Sequence, residues 1–332
     1  MESLDVNSPK NHPLYSPYGD LERAAIEEWP AALDVQLLRE AYERGENIMQ
    51  KLQMSGLALT RSQIIEISYD IQAGSYSSWA SDNPSVIAQY GQNIFQMCAP
   101  HLREGDCLLD CGAGELTSLS ALSQCLPASM QLYAFDLSLS RIRAGLAYAA
   151  SEMRHDLFAN LHAFVAEMVA IPLADASMDV VITMHALEPN HGRELQLLTE
   201  LLRVTRRKLL LFEPSWEHAT PAIKERMQQH GYVRNLPDWI AQAGGRLLSV
   251  TPLVHPINPM NPTYCFVVEP LAIDKMLLPL DSQDHNFICP RSRVPMESFP
   301  GYWWSAERGW LYPVVHGVPC LRRHHAVLMS RP

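Results

Sequence analysis

The sequence predicts an α/β fold centred on a mostly parallel, seven-stranded β-sheet, with helices before it and a small β-rich module after it. Between about residues 107 and 269, short apolar runs alternate with helical patterns, which is typical of a parallel sheet covered by helices. The runs at 180–182 and 209–212 are apolar throughout, as expected for strands that are buried on both faces. After Pro270 the alternation stops.

Seven short apolar runs supply the predicted strands. They lie at 107–111, 131–136, 161–166, 179–183, 208–212, 246–252 and 264–269. Helical periodicity predicts the helices between and before them. These are expected at 31–54, 61–71, 84–98, 116–124, 140–154, 193–204 and 221–230. Three units result: residues 1–60 form an arm and a helix, 61–275 form the α/β domain, and 285–332 form a small ribbon-like C-terminal module with β-like runs at 310–315 and 318–322.

Composition limits the classes of function. Of the 332 residues, 47% are hydrophobic and 19% are charged, which is ordinary for a globular protein. The formal net charge is -10, and a negative protein repels a phosphate backbone at long range, so nucleic acid is disfavoured as a partner. One dense basic cluster follows a helical pattern and is interpreted as a solvated helix end. It consists of Arg203, Arg206, Arg207 and Lys208.

The seven cysteines indicate a reducing compartment. Their number is odd, no Cys-x-x-Cys pair occurs and several lie in apolar runs, which fits buried thiols better than a disulfide framework. Residues 1–10 are polar and lack the apolar segment of a secretory signal. No apolar stretch approaches the roughly 20 residues that span a bilayer. We therefore expect a cytoplasmic protein that makes no use of a membrane.

The segment 108–115 carries the strongest functional signal. An apolar strand ends in Asp110, and a Gly112-Ala113-Gly114 turn opens the next helix. Glycine allows close approach of a ligand to the main chain, and free amides at the helix start face that ligand. A dinucleotide site would have a third glycine where this chain has Thr117, and Asp110 would repel a pyrophosphate. The cationic sulfur compound S-adenosylmethionine suits the motif better, although the dinucleotide alternative stays open.

A second acid ends the next predicted strand, at Asp136. A carboxylate at the tip of this strand can accept hydrogen bonds from both ribose hydroxyls of an adenosine. Strand-ending acids also cap helices, so this residue alone leaves both interpretations open. The pairing of Asp136 with the glycine turn favours the ribose interpretation.

Together, these motifs resemble the class I S-adenosylmethionine-dependent methyltransferase family over about residues 60–270. The resemblance implies a Rossmann-like sheet, methyl transfer and S-adenosylmethionine as the cofactor. The implied cofactor-binding residues are Asp110, Gly112, Ala113, Gly114, Asp136, Leu137, Glu167, Met168, Met184 and Tyr76. In the family, an acid after the third strand lies near the adenine amino group. This chain has Ala166-Glu167 where the family usually has Asp-Ala, so Glu167 is the candidate and a solvated loop acid is the alternative.

After the fourth strand, the family has a His-x-Leu-Glu-His segment between the cofactor and the methyl acceptor. Here His185 and Glu188 match, Pro189 replaces the second histidine, and His191 follows two residues later. The resemblance makes His185, Glu188 and His191 the catalytic candidates. His185 comes first as a general base for a hydroxyl acceptor, because an imidazole titrates near neutral pH. A purely structural histidine is the alternative.

Further segments are expected to contact the acceptor or to close the site. Loops beyond the carboxyl ends of parallel strands bind ligands, and a run of prolines stiffens a loop and presents its neighbouring side chains outward. The residues concerned are Glu213 and Trp216 after the fifth strand, Asn258 and Asn261 in the Pro-rich segment 255–263, and Tyr69 or Tyr76 upstream. A rigid connection with turn asparagines is the alternative for the Pro-rich segment.

The C-terminal segment resembles the small zinc-ribbon proteins that activate certain tRNA and protein methyltransferases. The Tyr312-Pro313 and Gly317-Val318-Pro319 pieces match, but Ser292 replaces the second cysteine of the pattern that starts at Cys289. Structural zinc needs about four Cys or His ligands, so we expect a module that holds no metal. We expect it to cover the acceptor cleft or to mediate a homodimer.

The leading hypothesis is an S-adenosylmethionine-dependent methyltransferase that acts on a small molecule or a glycan precursor by O-methylation. Two alternatives stay open, because a fold does not fix a function. One is a catalytically inactive scaffold, which the intact glycine turn and acids disfavour. The other is a tRNA or protein methyltransferase, which the tail favours and the acidic charge disfavours.

Overall fold

A computed structural model describes residues 29–258, 260–271 and 287–332. The predicted N-terminal arm and the linker before the C-terminal module lie outside these residues. Two helices, α1 (Val35–Glu43) and α2 (Ile48–Met54), occupy the region where the sequence predicts one continuous helical pattern. The break has a local cause. Gly45 turns the chain with φ +81°, and the side chain of Asn47 then caps α2.

Three more helices lead to the sheet: α3 (Arg61–Asp70), α4 (Ser75–Asp82) and α5 (Pro84–Cys98). A capping box at Thr60 fixes the start of α3. The sequence does not predict α4, because its residues lack an apolar period, and this helix starts at Gly74 with φ +95°. Helices α1, α2 and α3 share a small apolar core, which consists of Leu38, Ala41, Ile48, Leu52, Ile64, Ile67 and Ile71.

The seven predicted strands form one sheet, which confirms the predicted α/β fold. They are β1 (Cys107–Cys111), β2 (Gln131–Asp136), β3 (Leu161–Val165), β4 (Met178–Met184), β5 (Thr205–Pro214), β6 (Gly245–Pro252) and β7 (Thr263–Pro270). Their order is β3-β2-β1-β4-β5-β7-β6, and β7 alone runs antiparallel to its neighbours. Strands β2 and β3 follow on one side of β1, and the later strands β5 to β7 follow on the other side of β4. The strand order therefore reverses between β1 and β4, and sheets of this kind bind ligands in the crevice at that point.

Helices cover both faces of the sheet. They are α6 (Thr117–Ser123), α7 (Leu139–Glu152), α8 (His155–Phe158), α9 (Glu194–Val204), α10 (Pro221–His230) and α11 (Leu236–Gln242). Along β1 the side chains alternate, so Leu109 joins one apolar layer and Leu108 the other. None of the described helices is long and apolar enough to cross a membrane.

The basic cluster at 203–208 is not the solvated helix end that the sequence analysis expects. Each of its four cations is half-buried, and each forms an ion pair with a carboxylate from a distant part of the sequence. The pairs are Arg203 with Glu200 and Asp175, Arg206 with Asp179, Arg207 with Asp106, and Lys208 with Glu269. Three of the cations belong to β5 itself. The ion pairs therefore tie the start of this strand to its neighbours.

The C-terminal module is a five-stranded antiparallel sheet, which confirms the predicted small β-rich unit. Its strands are β8 (Glu297–Phe299), β9 (Tyr302–Ser305), β10 (Trp310–Val315), β11 (Val318–Pro319) and β12 (Val327–Leu328). It packs at the β3 edge of the large sheet, where Leu321 N donates to Val165 O at 2.8 Å. Phe287 meets Phe164 and Trp303 edge to face, so the module shares an apolar layer with the large sheet.

Gly145 in α7 gives a test of this packing. A Cβ atom at this position would lie 2.6 Å from the backbone carbon of Glu115. Alanine normally stabilises a helix by up to about 1 kcal/mol relative to glycine. Here we expect Gly145→Ala to destabilise the protein by about 1–3 kcal/mol, because the added methyl overpacks a rigid contact. Urea unfolding followed by circular dichroism measures the change.

Ala147→Ser is the matched control, because Ala147 is exposed on the same helix. This variant should stay within about 0.5 kcal/mol of the parent. A Gly145→Ala protein as stable as the parent would contradict the described contact.

Candidate functional site

Two adjoining cavities lie at the carboxyl ends of β1 and β4. Including open space at their mouths, the first measures about 880 Å³ and the second about 1540 Å³. The wall between them is formed by residues that line both: Tyr69, Tyr76, Gly112, Arg141, Met184, His185 and Glu188.

The glycine turn is built for close approach. Gly112 has φ +74°, and a Cβ atom there would lie 2.5 Å from the Cβ of Ala186. The amides of Gly112 and Ala113 both donate to Phe135 O, at 2.9 and 2.8 Å. Gly112 lines both cavities, whereas Ala113 and Gly114 line the second. The predicted turn therefore faces open space on its ligand side, and only glycine fits at position 112.

Asp110 is buried beneath this turn and lines the second cavity. Neither of its carboxylate oxygens has a hydrogen-bond partner among the described residues. Burial, with a smaller contribution from the charge of Asp136, raises the pKa of Asp110 to about 8. An unpartnered buried carboxyl group is costly, and it becomes favourable when a cationic group binds beside it.

Asp136 lies at the end of β2 and lines the first cavity. Its two oxygens accept from the amides of Gly114 and Ser138, both at 3.0 Å. The alternative of a helix cap does not apply to it, because the hydroxyl of Ser138 caps α7 by accepting from the amide of Arg141 at 3.0 Å. Leu137 lies beside Asp136 in the same cavity wall.

Arg141 is a site residue that the sequence analysis does not identify. Its guanidinium lies 3.5 Å from the Asp136 carboxylate and stacks on the rings of Tyr69 and Tyr76, at 4.9 and 5.0 Å from their centres. It lines both cavities. No local signal marks this arginine, because its partners come from α3, α4 and β2. Tyr69 and Tyr76, the residues expected to close the site, both contact Arg141 and line both cavities.

Glu167 and Met168 line the first cavity, as does Met184. Glu167 is not a solvated loop acid. Its Oε1 accepts from the Ser62 hydroxyl at 2.6 Å and from the Arg193 guanidinium at 3.2 Å. Burial alone would raise the pKa of Glu167, but the hydrogen bond from Ser62 and the nearby arginines lower it overall. Met168 forms an apolar part of the wall near Gly112.

His185 and Glu188 form a hydrogen-bonded pair between the cavities. Nδ1 of His185 lies 2.7 Å from Glu188 Oε2, and its Nε2 lies 2.7 Å from the Thr263 hydroxyl. His185 has φ +56°, a backbone conformation that non-glycine residues adopt mostly where the surrounding structure imposes it. Burial lowers the pKa of His185, but the hydrogen bond and charge of Glu188, and then the charge of Glu213, raise it by more.

Glu213 fixes the loop that carries this pair. Its buried carboxylate accepts from the Thr183 hydroxyl at 2.8 Å and from the three amides of residues 186–188 at 3.0–3.1 Å. Burial raises its pKa to about 7. Glu213 lines neither cavity, so the expectation that it contacts the acceptor is replaced by a positioning role. Trp216 also lies outside both cavities and stacks with Lys224 and Arg234.

His191, the third catalytic candidate, lines neither cavity. Its side chain is largely exposed and pairs with Glu194 at 2.7 Å. Its neighbours Pro189, Asn190 and Arg193 line the first cavity, but the His191 side chain does not. Sequence proximity to His185 therefore does not bring His191 to the site.

Further residues of the second cavity come from distant segments. Its aromatic lining consists of Tyr69, Tyr76, Trp79, Tyr90 and Tyr232. Asn261 is buried and donates to Glu188 Oε2 at 2.9 Å, so it does not point outward as expected, whereas Asn258 is exposed at the cavity. Glu115 accepts from the amides of Gly74 and Ser77, which holds the start of α4 over the glycine turn.

The C-terminal module does not cover the second cavity. No residue from 287 to 332 lines either cavity. The module instead supports the first cavity from behind, where the fully buried Arg322 pairs with Glu66 on α3, a residue that lines this cavity. Among the described residues, no group of three or more His, Cys, Asp or Glu side chains is arranged to hold a metal ion.

Comparisons with known proteins agree with this fold. Residues 109–212 match a family model described as a methyltransferase domain. Solved structures that are similar to the chain include a complex between the Haloferax volcanii Trm112 methyltransferase activator and a methyltransferase (16% identity, TM-score 0.47, covering 60% of this chain and 95% of that chain). Another is a SAM-dependent methyltransferase from Aquifex aeolicus (19%, 0.39, 51% and 85%).

Magnesium protoporphyrin IX methyltransferase from Synechocystis PCC 6803 is also similar (11% identity, TM-score 0.42, covering 71% of this chain and 100% of that chain). No curated protein sequence matches the chain.

The His185–Glu188 pair gives a pH-dependent prediction. We expect His185 to titrate above its ordinary value of 6.5, and Glu188→Gln to bring its pKa below that value, because burial then acts without the carboxylate. The protonated pair stabilises the folded protein below about pH 6.5, and this stabilisation is lost as the pH rises through the higher folded pKa. Histidine NMR titration and unfolding at several pH values measure both effects.

Glu194→Gln is the matched control, because it removes the carboxylate beside the exposed His191. It should leave the His185 titration unchanged. Equal His185 pKa values in the parent and Glu188→Gln proteins would contradict the described pair.

Proposed function

We propose that this chain, whose residues 109–212 match a methyltransferase domain, is a class I methyltransferase that uses S-adenosylmethionine as its cofactor and methylates an oxygen atom of a small molecule or a glycan precursor. The observation that carries the proposal is the pair of cavities that share a wall at Gly112, Met184 and His185. A methyltransferase must hold its cofactor and its acceptor on the two sides of one such boundary, at near-attack distance.

The residues present fit the cofactor. The buried, unpartnered Asp110 suits the cationic amino group, and Asp136 in the first cavity suits the ribose hydroxyls. Leu137 and Met168 offer apolar walls for an adenine, and Glu167 lies in the same cavity. When bound, S-adenosylmethionine supplies a methyl group that is activated by a positively charged sulfur.

The His185–Glu188 pair supports an oxygen acceptor. Glu188 holds the proton on Nδ1, which leaves Nε2 as the nitrogen that takes a proton from a hydroxyl. At present Nε2 meets the hydroxyl of Thr263, so a bound acceptor would replace this contact. With the cofactor bound, His185 would take the hydroxyl proton at Nε2, so that the acceptor oxygen could accept the methyl group as its bond to sulfur breaks and S-adenosylhomocysteine leaves.

Two observations support this function over its alternatives. A scaffold has no use for the unpartnered Asp110, whose burial costs stability unless a ligand compensates. A tRNA acceptor would need exposed cations, but the basic cluster at 203–208 is engaged in ion pairs within the protein. Five of the seven cysteines are buried thiols, which supports the proposed cytoplasmic location.

Calorimetry with S-adenosylhomocysteine and S-adenosylmethionine tests the cofactor site. At pH 7, below the Asp110 pKa of about 8, the free carboxyl is mostly protonated, so binding of the cationic amino group should release close to one proton. Titrations in buffers of different ionisation enthalpy measure this release. Asp110→Asn should release no proton and bind about 10- to 100-fold more weakly.

Asp175→Asn is the control, because Asp175 is exposed and remote from both cavities. It should bind the cofactor like the parent. If the parent protein bound neither compound, the proposed enzyme function would fail, and a scaffold would be favoured.

The base is tested by His185→Asn, since asparagine tolerates the positive φ of this position. Transfer of labelled methyl groups from S-adenosylmethionine to the small-molecule fraction of a whole-cell extract should fall by about 10²–10⁴-fold. Cofactor affinity should change by less than about 3-fold, because positioning of the cofactor does not depend on this imidazole. His191→Asn should leave the transfer unchanged. Label that appears in the protein or tRNA fraction would contradict a small acceptor.

A further inference from the structure

Arg226 is the cation of the second cavity whose role the proposed function leaves open. It projects from α10 and lines this cavity. Its Nε atom is buried and has no hydrogen-bond partner in the described part of the chain. Among the described residues, Arg226 forms no ion pair. Arg226 is half-buried, and its guanidinium hydrogen-bonds to the side chain of Tyr232. Since no described carboxylate pairs with it, an anion in the cavity would complete its charge.

Of the three carboxylates that line this cavity, Asp110 is assigned to the cofactor's amino group in the proposed function, and the other two are engaged by protein groups. Glu115 accepts from the amides of Gly74 and Ser77 and from the Ser77 hydroxyl, at 2.7–3.1 Å. Glu188 accepts from His185 and Asn261. The cavity therefore offers a bound anion the guanidinium of Arg226, which bonds to Tyr232 but forms no ion pair with a described carboxylate of α10 or of the 185–188 loop.

The positive charge of Arg226 acts to lower the pKa of two neighbouring side chains, His230 and Tyr232. The pKa of His230 is lowered, first by burial and then by the charge of Arg226. Burial and the charge of Glu188 raise the pKa of Tyr232 to about 12, and Arg226 opposes this rise. Since His230 is thereby kept neutral near pH 7, it does not add to the charge, and Arg226 is the cation that a ligand would meet.

The wall that carries Arg226 is fixed to the His185 loop. Gly231, with φ +63°, ends α10, and the amide of Val233 then donates to Glu188 O at 3.0 Å. The amide of Tyr232 returns to Met227 O at 2.9 Å, and Met227 is fully packed. Arg226 is thus held at a set distance from the pair that serves as the base.

We propose that the methyl acceptor carries a carboxylate or phosphate group, which Arg226 binds, and an apolar or aromatic body, which packs against Tyr69, Tyr90 and Tyr232. This inference rests on the proposed function, because it assigns to the acceptor the part of the second cavity at Arg226, while Asp110 in the same cavity binds the amino group of the cofactor. The aromatic side chains supply apolar surface, and Arg226 supplies a planar guanidinium that can bind either oxyanion with two parallel hydrogen bonds.

Three probes separate the parts of this proposal: phenyl phosphate, benzoate and the neutral benzyl alcohol. Each is titrated by calorimetry into full-length protein saturated with S-adenosylhomocysteine. We expect at least one of the two anions to bind at least about 10-fold more tightly than benzyl alcohol, and Arg226→Gln to weaken that anion by about 10- to 100-fold while benzyl alcohol changes little. The stronger of the two anions identifies the acceptor group as phosphate or carboxylate.

Lys224→Gln is the matched control, because Lys224 is on the same helix, two residues earlier, and stacks on Trp216 outside the cavity. It removes the same charge and should weaken anion binding by less than about 2-fold, since exposed charges are screened. Equal binding of benzyl alcohol and both anions, or unchanged anion binding by Arg226→Gln, would overturn the inference. Failure of S-adenosylhomocysteine to bind would instead refute the proposed function, so the two failures are distinguishable.

Discussion

The arrangement of the site depends on one buried carboxylate, that of Glu213 at the end of β5. It gathers the Thr183 hydroxyl and three consecutive amides of residues 186–188, and so turns the chain sharply after β4. This turn has two effects. It places His185 and Glu188 between the cavities, and it brings Ala186 so close to the glycine turn that a side chain at Gly112 has no room. Four donors compensate the cost of burying this carboxylate, which burial otherwise drives toward protonation at a pKa of about 7.

Asp110 and Glu213 are two buried acids of the same site that differ in their hydrogen bonding. Both end or flank central strands, and both have a raised pKa because they are buried. Glu213 is satisfied by the protein, so it organises structure. Asp110 has no partner among the described residues, so its stabilisation is left to a ligand. The distinction follows from hydrogen bonding and not from burial, and it separates a positioning residue from a binding residue.

The parts of the site that the sequence predicts are those in which a local pattern carries the information. The glycine turn, Asp110 and Asp136 sit where a strand meets a helix, and such junctions are visible in a few consecutive residues. Arg141 and Glu115 escape prediction because their partners lie in segments remote in the chain, and Arg226 because the cavity that it lines is formed by such segments. Two predictions, for His191 and for the basic cluster at 203–208, are wrong because they also use only residues that are close in sequence. His191 is near His185 in sequence, but its side chain lines neither cavity. The basic cluster at 203–208 looks solvated only until acids such as Asp106 and Glu269 fold against it.

Charge is distributed unequally along the two cavities, and this bears on how one site can handle two ligands. At the glycine turn lies Asp110, whose carboxyl group has no partner among the described residues, and α10 contributes Arg226, which forms no ion pair with a described carboxylate. A cationic cofactor and an anionic acceptor would each be attracted to its own end and disfavoured at the other. The C-terminal module contributes from outside, because Arg322 reaches Glu66 and braces α3, the helix that supplies Tyr69 to the shared wall. The module therefore acts on the shape of the first cavity, and the acceptor end is left to α10 and the loops that flank it.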